Sequence, residues 1–196
     1  MTVDRARFES GPILDVSDPA EVVASQTVFD GHIWDVRRES FRFGDTELTR
    51  DFLDHPGAVA VLAIDDEDRV LLINQYRHPV REREWELPAG LLDVAGEPPR
   101  EAAQRELAEE ADLQAAEWSE LVTFHTSPGG SNEVLHVFEA RGLSDSPEPF
   151  ARMDEEAELV PRWVPFPELV TAVLEGRVRN SILIVAVLTA HARRTV

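Results

Sequence analysis

The stretch from Gly90 to Leu113, GLLDVAGEPPREAAQRELAEEADL, carries Glu106, Glu109 and Glu110 at the spacing that puts them on one side of a helix. Residues three and four apart on a helix have Cβ atoms roughly 5–6 Å apart. Ala103, Leu107 and Ala111 fill the adjoining stripe, so the same helix can anchor on a core while it holds its carboxylates outward. Pro98 and Pro99 suit the start of that helix, whose first turn has no use for the missing N–H. Three clustered carboxylates repel one another unless cations lie among them, and hard oxygen ligands of this kind suit Mg2+ or Mn2+. Such ions neutralise a pyrophosphate and activate water. A charge run is ordinarily a solvated helix face. Here Arg105 stands inside the run, where it can pair with and orient a carboxylate, and a strand-like segment, Glu86 to Gly90, leads into a glycine-punctuated loop.

The rest of the chain supplies a globular setting for that helix. With 196 residues, 43% of them hydrophobic, one domain with an appended segment is expected, and its core is ample. No apolar run reaches the length of a membrane span, and the N-terminus lacks the basic-then-apolar pattern of a signal peptide. The sequence has no cysteine, so disulfides and thiol chemistry are excluded, in keeping with a cytoplasmic location. A formal charge of −19 argues against non-specific binding to nucleic acid or to an anionic membrane, both of which need local positive potential. All 19 basic residues are arginines. An anionic substrate would therefore depend on metal ions and locally placed arginines to reverse the field.

Read in order, residues 1–20 form a polar, proline-punctuated arm. Strand-like runs follow at Ser25–Phe29, His32–Phe43 and Thr46–Leu53, with Asp30-Gly31 and Gly44-Asp45 as turn signals, and together they predict a small antiparallel sheet. Two apolar strands, Ala58–Ile64 and Val70–Tyr76, precede the acidic helix. Strands are predicted after it near Leu121–His125 and Val134–Ala140. A turn-rich stretch from Ser144 to Glu156 leads to a strand at Leu159–Val164 and to helices at about Pro167–Glu175 and Asn180–Ala192.

Arg105, Glu106, Leu107, Glu109, Glu110 and Leu113 reproduce R-E-U-x-E-E-x-x-U, where U is a bulky aliphatic residue, and Glu97 lies eight residues ahead of Arg105. The segment resembles the Nudix box. That resemblance implies metal-assisted hydrolysis of a diphosphate joined to another group, on an α/β (α+β) fold: an αβα sandwich with a mixed sheet over residues 55–196. Residues 1–54, an N-terminal arm and small antiparallel sheet, are expected to be an added element that serves dimerisation. The box departs from the usual one twice. Six residues, not five, separate Gly90 from Glu97, and Asp112 replaces a glycine expected in a left-handed turn. Gly96 can absorb the extra loop residue, and Asp tolerates that turn better than most residues.

Outside the box, Pro128 stands sixteen residues after Asp112 within Ser127-Pro128-Gly129-Gly130-Ser131-Asn132-Glu133, and Gln75-Tyr76-Arg77 and Glu86 to Asp93 also match. Over roughly residues 25 to 193 the chain is similar to the ADP-ribose pyrophosphatase branch, especially its actinobacterial members. The resemblance implies the Ala89 carbonyl, Glu106 and Glu110 as metal ligands, with Glu109 assisting or holding a second ion. It implies Arg77 on phosphate, Leu91 and Ser127 on the ribose and phosphate side, and Trp34 stacked on adenine. Arg50 and Asp51 would reach the nucleoside from a partner subunit of a homodimer, and His55 stands where the branch has a substrate-binding arginine. The general base falls on the acidic loop Asp154 to Glu158: Glu156 first, nine residues before Pro165 and able to touch metal, with Glu155 and Glu158 as alternatives. The implied substrate is a small nucleoside-diphosphate sugar. For Trp34, packing within the sheet is the plain alternative. Another nucleotide specificity, or a ligand-binding domain without hydrolysis, are the rival functions; the second class tends to lose the box carboxylates, which are kept here.

Overall fold

The computed structural model describes residues 12–147, 150 and 159–195. Three strands, β1 (Val22–Phe29), β2 (Asp35–Phe43) and β3 (Thr46–Asp54), form an antiparallel sheet in the order β1-β2-β3. The turn signal Gly44-Asp45 joins β2 to β3, and Gly44 takes a positive φ of 58° there. The predicted strand from His32 begins later, at Asp35, because Gly31 to Trp34 curl so that the Gly31 N–H donates to Asp35 Oδ1 at 3.2 Å.

The middle of the chain builds β4 (Ala58–Ala63), β5 (Arg69–Arg77), β6 (Glu82–Glu86), β7 (Ala89–Leu91), α1 (Pro99–Ala111), β8 (Leu113–His125) and β9 (Val134–Asp145). β10 (Val160–Pro165), α2 (Phe166–Leu174) and α3 (Ser181–Thr195) complete it. A mixed sheet runs β7-β4-β9-β8, with β4 and β9 parallel, and an antiparallel sheet runs β10-β5-β6. β4 is buried along its whole length, as a strand covered on both faces must be. Its alternate residues serve two cores. Ala58, Ala60 and Leu62 pack with Leu169, Leu183 and Val187 of α2 and α3, whereas Val59, Val61 and Ala63 pack with Ala102, Ala103 and Leu107 of α1. That division is the αβα sandwich.

Two boundaries differ from expectation. β8 starts at Leu113 instead of near Leu121, and β9 runs on to Asp145 into the stretch read as turns from Ser144. The two strands pair antiparallel along this extension, from Leu113↔Asp145 to Glu120↔Phe138. Ladder hydrogen bonds hold it, together with Leu113, Ala115, Trp118 and Leu143, which lie half-buried against the core on the α1 side. Likewise Glu86 to Gly90 is not one strand: Glu86 ends β6, and β7 begins at Ala89 after Pro88. Among the described residues, no helix is long and apolar enough to cross a membrane.

Candidate active site

The acidic helix meets the mixed sheet at its β7 edge. β7 pairs with β4 through Ala60↔Ala89, Val59↔Gly90 and Ala58↔Leu91, and the Val61 N–H donates to Pro88 O at 2.8 Å. α1 opens with Pro98 as its N-cap and Pro99 as its first residue, as expected, and buries Ala102, Ala103 and Leu107. That anchoring turns Glu106 and Glu110 toward β7. Glu110, only 8% exposed, accepts the Ala89 N–H on Oε2 at 2.9 Å. Glu106 lies directly on Gly90, where a Cβ would fall 2.0 Å from its carboxylate carbon and from one carboxylate oxygen. Gly90 is required by close approach, not by an unusual backbone angle.

Arg105 binds the acidic groups into one cluster. Its Nε and one terminal nitrogen reach the two oxygens of Glu97 at 3.2 and 3.1 Å, and the other terminal nitrogen lies 2.6 Å from Glu106 Oε1 and 3.2 Å from Glu109 Oε2. The hydrogen bonds Arg105 donates to Glu97, with Glu106 and Glu109 beside it, hold the guanidinium charged well beyond its ordinary range. Burial pushes the Glu106 carboxyl up, Arg105 opposes that shift, and Glu109 and Asp93 add to it. The site is thus an arginine-braced carboxylate group carrying more negative charge than Arg105 offsets.

The other predicted site residues are spread over several elements. Arg77, at the end of β5, is forked onto Glu86 of β6 at 2.9 and 2.7 Å, and Glu86 is 3% exposed. The sequence reading missed Glu86, whose buried carboxylate fixes the direction of Arg77. Leu91 is half-buried in β7, and Ser127 is exposed, with its carbonyl accepting the Gly130 and Ser131 N–H groups at 3.0 Å each. Trp34 stacks on His55, ring centroids 4.2 Å apart. It therefore packs on the residue at the junction after β3, and not within the sheet.

Arg50 and Asp51 lie on β3 and line an open groove of about 580 Å3 with His125 and the loop Pro128 to Asn132. Asp51 is clasped by Arg38 of β2 at 2.6 and 2.7 Å, and Arg50 donates to its neighbour's carbonyl, Thr49 O, at 2.8 Å. None of the box carboxylates lines that groove. Glu155, Glu156 and Glu158 lie outside the described residues.

Residues 54–184 match the NUDIX domain. The chain belongs to the Nudix family. A Mycobacterium tuberculosis protein named ADP-ribose pyrophosphatase is 46% identical over 176 residues, covering 89% of this chain and 84% of that protein. A Bacillus methanolicus protein named methanol dehydrogenase activator is 32% identical over 168 residues, 85% of this chain and 90% of its own. A crystal structure of an ADP compounds hydrolase aligns with a TM-score of 0.74 over 91% of this chain and 96% of that one; at 20% identity it shows a shared fold.

Both departures from the usual Nudix box are absorbed where expected. Gly96 adopts φ 81° in the lengthened loop, and Asp112 takes the left-handed conformation, φ 54° and ψ 33°, as the C-cap of α1. Nudix hydrolases depend on a divalent metal, and the donors here fit one: carboxylate oxygens of α1 pressed against the backbone of Ala89 and Gly90, in a cradle that a Cβ would fill. Among the described residues, no three acidic or histidine side chains are gathered closely enough to hold an ion by themselves. Glu106 and Glu109 are turned to Arg105, and Glu110 to the Ala89 amide.

Proposed function

We propose that this Nudix enzyme hydrolyses the pyrophosphate of ADP-ribose to AMP and ribose 5-phosphate. The observation that carries the chemistry is the seating of Glu106 on Gly90 and of Glu110 on the Ala89 N–H. The choice of ADP-ribose rests on the extent of similarity to the M. tuberculosis protein of that name. Glu106, Glu110 and the Ala89 carbonyl hold Mg2+, or Mn2+ in its place, with Glu109 assisting. Such ions, when bound, neutralise the pyrophosphate and lower the pKa of water.

Around that centre the protein positions substrate. Arg77, held by Glu86, presents a planar guanidinium that can meet two phosphate oxygens. Leu91 and Ser127 line the ribose and phosphate side, Trp34 takes the base, and Glu156 accepts the proton of the attacking water, with Glu155 and Glu158 as alternatives. With a net charge of −19 on the chain, an anionic substrate depends on bound metal ions and on locally placed arginines to reverse the field at the site.

The N-terminal sheet pairs two copies of the chain. Val22, Val28, Phe29 and Phe43 are exposed at scattered places along it, apolar area that a second copy could partly cover, and Arg50 and Asp51 would then serve the partner's nucleoside. Light scattering is expected to give about twice 22.0 kDa; a monomer at assay concentration would remove Arg50 and Asp51 from the site. We place the enzyme in the cytoplasm.

Product release from ADP-ribose, ADP-glucose, GDP-mannose, NADH and FAD, in Mg2+ and then in EDTA, tests the reading. Metal-dependent formation of AMP and ribose 5-phosphate from ADP-ribose ahead of the others is expected. Preference for another substrate would keep the chemistry and reject ADP-ribose, and no cleavage of any would reject both.

A further inference from the structure

Trp85 and Glu86 are neighbours on β6 whose side chains take opposite faces of the strand. Glu86 turns to Arg77, whereas Trp85 packs with Val178 on the core that α2 and α3 cover. A cavity of about 160 Å3 opens there between the β10-β5-β6 sheet and α2, and Leu72, Val164, Leu169 and Ala172 make up its apolar part. A second, of about 470 Å3, lies between β6 and the turn Gly176 to Arg179 that joins α2 to α3, and its sides carry Arg83, Arg179, Glu82 and Glu84. Trp85, Arg177 and Val178 line both, so the two form one groove with an apolar end and a charged end. None of the residues placed in the candidate active site lines it.

Two arginines of the groove are taken up by carboxylates: Arg179 by Glu82 at 2.6 and 2.8 Å, and Arg177 by Glu175 at 2.7 Å. Arg162 is not. It lines the apolar cavity, as Glu168 does, and its guanidinium carbon lies 5.8 Å from the centroid of the Trp85 ring. Among the described residues it makes no ion pair and no hydrogen bond, so its N–H donors are uncommitted. In a chain with 38 acids and 19 arginines, a guanidinium left unclaimed beside an apolar cavity suits an anion that carries apolar surface of its own. Its paired donors match a carboxylate, and an apolar cavity of roughly 150 Å3 accepts a benzene-sized group. We propose that this groove is a second ligand site, for a small carboxylate bearing one ring-sized apolar group. The ring rests on Leu72, Leu169 and Ala172 against Trp85, and the carboxylate meets Arg162. The inference stands independently of the ADP-ribose reading.

The test follows the indole N–H resonances of the full chain, which has four tryptophans, during titration with benzoate, with benzamide as the probe without charge and acetate as the probe without a ring. Trp85→Phe and Trp34→Phe assign the two signals that matter. Benzoate is expected to move the Trp85 signal and leave that of Trp34 in place, with a Kd on the order of 1 mM, and the other two probes to bind about tenfold more weakly. Arg162→Ala, a change at an exposed residue, is expected to weaken benzoate about tenfold, and Arg162→Lys to recover part of that loss. Ala172→Leu fills the apolar end and is expected to abolish binding; should it fail to fold, the Arg162 variants and the three probes still decide. A Trp85 signal unmoved at 20-fold the expected Kd would overturn the site. So would benzamide or acetate binding as tightly as benzoate, or an unchanged affinity in Arg162→Ala.

Discussion

Glu106→Gln and Glu110→Gln are each expected to lower kcat on the order of 10^3-fold, about 4 kcal/mol of barrier, in a protein that keeps its fold. Glutamine preserves the shape and one acceptor oxygen. The Ala89 N–H keeps a partner in Glu110→Gln, and Arg105 keeps one in Glu106→Gln. What each change removes is a negative charge and a hard oxygen donor, so the loss isolates the metal role. Stability gives a second readout with a defined sign. The folded Glu106 carboxyl titrates above its unfolded value because of burial, so its contribution is full below the unfolded pKa and is lost as pH rises through the folded one. Metal-free wild type at neutral pH therefore carries a penalty that Glu106→Gln lacks, and the variant should melt no lower. Added Mg2+ reverses the order, since an ion at 100 times its dissociation constant stabilises the folded state by about 2.7 kcal/mol, a gain the variants lose in proportion to their lost affinity. Near-normal turnover in both variants would remove these residues from the metal site.

Much of this site could be read from spacing, and the part that could not is long-range. The helical spacing of Glu106, Glu109 and Glu110, the anchoring Ala103 and Leu107 and the proline start of α1 are local features and stand as expected, whereas Glu110, expected to face outward, is buried against β7. β4 was legible for the same reason, since a strand buried on both faces must be an unbroken apolar run. Arg105 was expected to orient a carboxylate; it braces three, because Glu97 folds back from the box loop to meet it. Glu86 gave no signal, as nothing in Glu82 to Glu86 distinguishes the buried carboxylate from the exposed ones before β6 pairs with β5. His55 was aligned by position with a cation, whereas its Nδ1 accepts the Gly57 N–H, a contact that shows only in three dimensions.

Gly90 shows how such a long-range contact can carry function, and Gly90→Ala is expected to slow turnover about 100-fold with little change in melting temperature or KM. Sequence alone places Gly90 at the end of a strand-like segment; it lies in β7, paired with Val59, and its φ is not among the positive values that would strain an alanine. The backbone can therefore accept the substitution. The obstacle is the Glu106 carboxylate, which a Cβ would meet at 2.0 Å, while ordinary carbon contacts lie at about 3.5–4.0 Å. The flexible end of Glu106 must then retreat by more than about 1 Å, a misplacement sufficient to cost about 10^2-fold in rate when it moves a catalytic group. Because the damage acts through Glu106 alone, Gly90→Ala should add little in a background where Glu106 is already glutamine: the double variant should be about as slow as Glu106→Gln, and not 100-fold slower. Additive losses would mean that Gly90 serves catalysis by a route other than seating that carboxylate, such as the direction of the Ala89 carbonyl beside it, and the metal set would then be governed by β7 rather than by the helix.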